Sequence, residues 1–303
     1  MYPTLHNPSA ERDSCGIGFV ADVRGRASRS ILDAALEGLK RVGHRGAVAA
    51  DGLTGDGAGV LLPIPASLVP GPWCGLAMVF LRDESARARI EAACRGEGLG
   101  IAGWRHVPTE ARALGGAARA NAPQVAQLAL QRPFGADSEE AERRAFRARK
   151  RLASDAGAYV CSLSFRTVTY KALCAAGQLA EFYPDLARPD LAVPFAIFHQ
   201  RFSTNTEPSW ERAQPFRLLC HNGEINAIDG NVNWMRARAG RLQTEPVLED
   251  GGSDSALLDN ALELLVRGGR DVRHAVTMLL PEAYTADASR SVDVSAFYRY
   301  QAT

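Results

Sequence analysis

The chain has 303 residues, 46% of them hydrophobic and 23% charged, with a formal net charge of +1. That size allows one large or two ordinary domains with a real core, and the near-neutral balance argues against a general nucleic-acid binder or a polybasic membrane surface. No apolar run approaches the roughly 20 residues needed to span a bilayer. Lys40, Lys150 and Lys171 are the only lysines, and with so many alanines the arginine excess reads as coding bias rather than a functional patch. The leader, residues 1–14, carries Glu11, Arg12 and Asp13 and has no apolar stretch of signal-peptide type, so a cytoplasmic protein is expected. Six cysteines (Cys15, Cys74, Cys94, Cys161, Cys174 and Cys220) form no Cys-x-x-Cys pair and have no histidines at zinc spacing. Neither a disulfide framework nor a metal site is expected.

In chain order, Cys15 to Val20 reads as a buried strand. Apolar residues at 31, 32, 35, 36, 39 and 42 predict a helix over 30–42 with one buried face. Gly57 to Ile64 and Leu76 to Leu81 are further strands. Residues 82–135, rich in Ala, Arg and Gly, read as peripheral helices and loops. Ser138-Glu139-Glu140 opens a helix that runs to Arg151, with acids first and bases last as the helix dipole favours. Tyr159 to Phe165 and Thr167 to Leu173 look like adjacent strands, and Phe195 to His199 and Phe216 to His221 like two more. Ser253 or Asp254 caps an apolar helix over 256–266 that stops at Gly268-Gly269. Strands in pairs with helices between them predict a layered α/β or α+β domain.

Chemistry concentrates in 199–236: His199-Gln200-Arg201-Phe202-Ser203-Thr204-Asn205-Thr206, then His221-Asn222-Gly223-Glu224-Ile225-Asn226, then Gly230 to Arg236. Loops after strands are where sites are built. Asn222-Gly223 is ordinarily a turn, but it also sets a backbone N–H beside an amide, the donor pair of an oxyanion hole. Arg201 could be a surface charge; at a strand end it could equally clamp a carboxylate with two parallel hydrogen bonds. Asp254 is most simply a helix cap, and otherwise a partner for a substrate ammonium. Cys15, in Asp13-Ser14-Cys15-Gly16, is ordinarily a small apolar residue. If the leader is clipped, it carries thiol and free amine on one residue. Together these groups describe a site for a free α-amino acid with a reactive side-chain carbonyl, such as glutamine. The glycine run 55–59 lacks the Lys-Ser/Thr of a phosphate loop.

Five stretches carry a resemblance: Cys15-Gly16-Ile17-Gly18-Phe19-Val20, His44-Arg45-Gly46-Ala47, Gly55-Asp56-Gly57-Ala58-Gly59, the run 195–238, and Ser253-Asp254-Ser255 through Leu265. In this order they resemble the class II glutamine amidotransferase domain of the glutamate synthase large subunit, an N-terminal-nucleophile (Ntn) hydrolase. The likeness is strong over about 11–65 and 191–285 and weak between. It implies an α+β, four-layer αββα Ntn-hydrolase sandwich over 15–303, following a 1–14 propeptide and C-terminally incomplete in this chain, with part of one sheet left unpaired. It also implies roles: Cys15 as nucleophile, Asn222 and Gly223 as oxyanion donors, Arg201 for the substrate carboxylate, Asp254 for its amine, and His44, Arg45 and Asn226 in support.

The implied activity is glutamine hydrolysis through a Cys15 thioester, with ammonia destined for reductive amination of 2-oxoglutarate in the full-length protein. The implied partners are L-glutamine, the remaining synthase domains and a small electron-donating subunit. No nucleic acid or membrane is implied. No cofactor is expected in this chain, while FMN and an iron–sulfur cluster are implied for the full-length protein. Alternatives are an amidotransferase component serving another acceptor, as in asparagine, glucosamine-phosphate or purine synthesis, or an inactive glutamine-binding fragment. One departure stands beside the site: Glu207 replaces the family's usual aromatic or apolar residue.

Overall fold

The computed structural model describes residues 16–71, 73–201, 206–242, 244, 246–249, 251–281 and 292–301. Cys15, the 1–14 leader and Phe202 to Asn205 therefore lie outside the described residues. Among the described residues there are eight strands: β1 (Ile17–Ala21), β2 (Ala58–Pro63), β3 (Cys74–Leu81), β4 (Gly100–His106), β5 (Gln124–Gln131), β6 (Ala158–Ser164), β7 (Thr167–Ala172) and β8 (Phe195–Gln200). The helices are α1 (Arg29–Arg41), α2 (Ala86–Gly96), α3 (Gly116–Ala120), α4 (Ser138–Lys150), α5 (Leu179–Phe182), α6 (Ile228–Ala237), α7 (Ala239–Leu242), α8 (Asp254–Arg267), α9 (Val272–Leu279) and α10 (Val292–Gln301).

The strands form two antiparallel sheets, ordered β1-β8-β2-β7 and β4-β5-β3-β6. This is the expected α+β mixture. Helix α1 lays Leu32, Ala35, Leu36 and Leu39 against the first sheet. Gly18 and Gly38 both face the Phe198 ring, and a Cβ at Gly18 would overlap it, so the two glycines let α1 and β1 close on that ring. Helices α2 and α4 cover one face of the second sheet through Ile90, Cys94, Ala145 and Ala148. A third core joins α6, α8 and α9 to Phe146 of α4.

Register is what makes a site. Ile17 pairs with His199, and Ala58 with Gln200. In antiparallel ladders this brings the start of β1, the end of β8 and the start of β2 to one edge of the sheet.

Three expectations need correction. Residues 82–135 are not merely peripheral helices and loops, because β5 lies inside the second sheet between β4 and β3. Its Ala- and Gln-rich sequence has weak strand propensity, and packing on both faces overrides it. The predicted strands at 159–165 and 167–173 exist but separate: β6 pairs with β3 and β7 with β2. Finally, 216–221 is not a strand. Its N–H groups at Arg217, Leu218 and Leu219 all donate to the side chain of Asp259, which takes the place of a neighbouring strand.

Candidate active site

The first half of the site lies where β1, β8 and β2 end together. The Gln200 N–H donates to Gly16 O at 2.7 Å, and the Arg201 N–H to Gly57 O at 2.7 Å. Arg201 therefore stands one residue past β8, beside the residue that follows Cys15. Its φ is 98°, a region that side chains other than glycine rarely adopt. Strain of this kind persists only where the surroundings over-determine it. Besides Gly57, His199 Nδ1 donates to Arg201 O at 2.8 Å. Burial pushes the His199 pKa down to about 4, with His221 and Arg201 nearby adding to the effect. The ring is thus neutral near pH 7 and keeps its proton on Nδ1.

Below Arg201, the buried Gln200 amide donates to Asp56 Oδ1 at 2.9 Å, and Ala47 N–H donates to Asp56 Oδ2 at 2.9 Å. Burial raises the Asp56 pKa, while the Ala47 N–H, Arg201 and Gln200 oppose that rise. Gly46 is required here, since a Cβ would overlap the Gln200 amide.

The second half is the 214–223 segment with the first turn of α8. Gln214 is fully buried and grips the His221 peptide at both ends: His221 N–H donates to Gln214 Oε1 at 2.8 Å, and Gln214 Nε2 donates to His221 O at 2.7 Å. Ser255 Oγ donates to the same carbonyl at 2.7 Å. The segment lies close over the first sheet because Gly59 leaves room for the Gln214 carbonyl. Gly223 has φ 97°, and its N–H donates to His221 Nδ1 at 3.0 Å. That contact needs a neutral imidazole, and burial lowers the His221 pKa accordingly. Ser253, not Asp254, caps α8, accepting from the Ala256 N–H at 3.3 Å. Asp254 is left as a half-buried carboxylate in the first turn.

Arg201 is thus tied through His199 to the neighbourhood of His221, and Asn222-Gly223 is tied through Ser255 to Asp254. The supporting residues are less engaged. His44 is exposed, with Nδ1 3.1 Å from Arg41 O. Arg45 is exposed, with its Cβ turned toward Gly16. Asn226 is exposed in the turn before α6. Glu207 is also exposed, and its carbonyl accepts from Arg212. Sequence reasoning assigned no role to Asp56, His199, Gln200, Gln214, Ser255 or Asp259. The signal for Asp259 was available: it is an acid that lies, with Asn260 and Glu263, on the buried face of α8 among leucines and alanines.

The model of a known family, the class II glutamine amidotransferases, matches residues 15–303. The chain belongs to this family. Among the similar curated proteins, the ferredoxin-dependent glutamate synthase 2 of Synechocystis sp. is 43% identical over 90% of this amidotransferase chain and 20% of its own length. The glutamate synthase [NADPH] large chain of Azospirillum brasilense is 38% identical over 97% of the chain and 22% of its own length. That of Bacillus subtilis is 37% identical over 99% and 22%. The chain thus spans about a fifth of the length of these relatives.

Among the described residues, no group of three or more His, Cys, Asp or Glu side chains could hold a metal ion. The described cysteines likewise form no group that could hold an iron–sulfur cluster. No described helix is long and apolar enough to cross a membrane.

Proposed function

We propose that this chain is the glutamine-hydrolysing portion of a glutamate synthase. What supports the reading is that Arg201 stands at the β8 end, beside the residue after Cys15, and that the residue before Asn222-Gly223 is bonded to Ser255 in the first turn of α8, next to Asp254. Removal of residues 1–14 makes Cys15 the N-terminus. Its α-amine, with an ordinary pKa of about 7.7–8.0, is partly neutral at working pH and takes the thiol proton. Arg201 receives the α-carboxylate of glutamine and Asp254 its α-ammonium. The thiolate adds to the side-chain carbonyl carbon, and the oxyanion is held by Asn222 and the Gly223 N–H.

For that step the Gly223 N–H must leave His221 Nδ1. The exchange is favourable, because a bond to an oxyanion is stronger than one to a neutral ring nitrogen. The α-ammonium returns its proton to the leaving nitrogen, ammonia departs, and a glutamyl thioester remains. Water hydrolyses the thioester to glutamate and restores the thiol. His44, Arg45 and Asn226 are proposed to support the loops around this site.

The wider reading rests on the resemblance to glutamate synthases. Ammonia passes to 2-oxoglutarate in other domains of the full-length protein, in the cytoplasm, with a small subunit as the source of electrons. FMN and an iron–sulfur cluster bound in those domains would relay the reducing equivalents. The four-layer αββα Ntn arrangement is part of the same reading. It is supported by two antiparallel sheets with helices against each.

The Gly223–His221 contact favours one second reading, a chain that binds glutamine without turnover. Release of ammonia and glutamate separates the two. The processed chain should hydrolyse glutamine and Cys15→Ala should not; glutamine binding without ammonia release would establish the second reading.

A further inference from the structure

We infer that α8 sets the position of the oxyanion turn, with Ser255, Asp259 and Gln214 as positioning residues for Asn222 and Gly223. The inference rests on the proposed glutaminase reading and extends it to residues that touch no substrate.

The segment from Gln214 to Gly223 belongs to no strand or helix, so its backbone groups need other partners. They find them on side chains. Asp259 is fully buried, and its Oδ1 accepts from Arg217 N–H at 3.2 Å, Leu218 N–H at 2.8 Å and Leu219 N–H at 3.2 Å. Its other oxygen lies 3.6 Å from Arg217 Nη1. Four residues before Asp259, on the same side of α8, Ser255 donates to His221 O. Gln214 donates to the same carbonyl and accepts from the His221 N–H. The residue immediately before Asn222 is therefore held by three side-chain hydrogen bonds, two on its carbonyl and one on its N–H, and one of the three comes from α8.

A buried carboxylate is a costly way to satisfy three N–H groups, since a neighbouring strand would do so without placing a charge inside. What the side chains add is a fixed relation to α8. Asp254 precedes Ser255, so the carboxylate proposed for the substrate amine and the clamp on the oxyanion turn share one helical turn. Helix α8 is itself anchored on α4. Arg149 pairs with Glu263, Arg267 Nη2 lies 2.6 Å from Glu142, and Lys150 Nζ donates to Asn260 at 2.9 Å. The helix that holds the substrate's amine end thus also gauges the distance to the oxyanion donors. Such donors must sit about 2.7–3.1 Å from the developing charge, and losing one costs on the order of 10²–10³ in kcat.

The test is Ser255→Ala and Gln214→Met in the processed chain, with Ser255→Thr as the variant that restores a hydroxyl. Two readouts are taken: steady-state glutamine hydrolysis, and hydrogen exchange of the 217–223 amides. Loosening the turn should lower kcat by about 10-fold for Ser255→Ala and about 100-fold for Gln214→Met. KM should stay within about twofold, because Arg201 and Asp254 are untouched; Ser255→Thr should recover most of kcat. Exchange of the 217–223 amides should quicken about tenfold in the two damaging variants, a result that does not depend on catalysis. An unchanged kcat and unchanged exchange would overturn the inference, as would a rise in KM matching the fall in kcat. A parent chain that releases no ammonia would instead refute the glutaminase reading, and exchange alone would then decide whether α8 holds the turn.

Discussion

Arg201 combines a proposed substrate contact with a backbone that a side chain disfavours, so two substitutions at this one position can separate function from strain. At an ordinary interior position, glycine is less stable than alanine by about 0.5–1 kcal/mol, because it loses more backbone freedom on folding. At φ 98° the sign should reverse. A Cβ in left-handed backbone costs roughly 1–2 kcal/mol that glycine does not pay. Arg201→Gly should therefore be more stable than Arg201→Ala by up to about 1.5 kcal/mol, the difference of these two effects. Both variants lose the guanidinium and its attraction to Asp56 equally, so those losses cancel in the comparison.

Function should not distinguish them. Each lacks two charge-assisted hydrogen bonds to the substrate carboxylate, worth about 1.5–3 kcal/mol apiece, so KM for glutamine should rise by about 10²–10⁴ in both. Urea unfolding with matched m-values gives the first comparison and glutaminase kinetics the second. A glycine variant less stable than the alanine variant would show that Arg201 is not strained. A KM unchanged in both would remove Arg201 from substrate binding.

Other regions give independent checks. His199 is held near pKa 4 against an ordinary 6.5, so between those values the unfolded chain binds the extra proton. Its contribution is complete above pH 6.5 and is lost as pH falls toward 4, at up to about 1.4 kcal/mol per pH unit. His199→Gln should flatten the acid limb of the stability curve, though not abolish it, since His221 shifts the same way; an unaltered slope would contradict the buried neutral ring. Arg149, 2% exposed and paired with both Glu249 and Glu263, should cost about 3–5 kcal/mol in urea unfolding when replaced by Met, because two buried carboxylates lose a partner. A loss under about 1 kcal/mol would mean that the α4–α8 contact is wet. Gly46→Ala should cost about 1–3 kcal/mol by overpacking against Gln200 and should lower glutaminase activity with it; a stable, fully active variant would show that the Gln200–Asp56 pair is not close-packed.

The parts of the fold legible in the sequence are those written in local patterns. The apolar stripe of α1, the acids and bases at the ends of α4 and the Ser253 cap of α8 need only a few turns of chain to be read. Strand β5 was not legible, because Gln124 to Gln131 becomes a strand through neighbours on both sides rather than through its own propensity. The 216–221 stretch misled for the converse reason. Its apolar residues suggest a strand, but its hydrogen-bonding partner is the side chain of Asp259, about forty residues away. The candidate site divides in the same manner. Arg201, Asn222, Gly223 and Asp254 stand out as polar groups in turns and a helix start. Asp56, His199, Gln200, Gln214 and Ser255 acquire their roles only once strand register and the packing of α8 are known.

The central claim is that Cys15 acts as a free N-terminal nucleophile. Intact-mass and N-terminal peptide analysis of the protein made in cells, before and after treatment with an electrophilic glutamine analogue, tests it most directly. The expected product is a chain that begins at Cys15 and carries a single adduct on that residue. A retained 1–14 leader, or an adduct on Cys161 or Cys220, would contradict it.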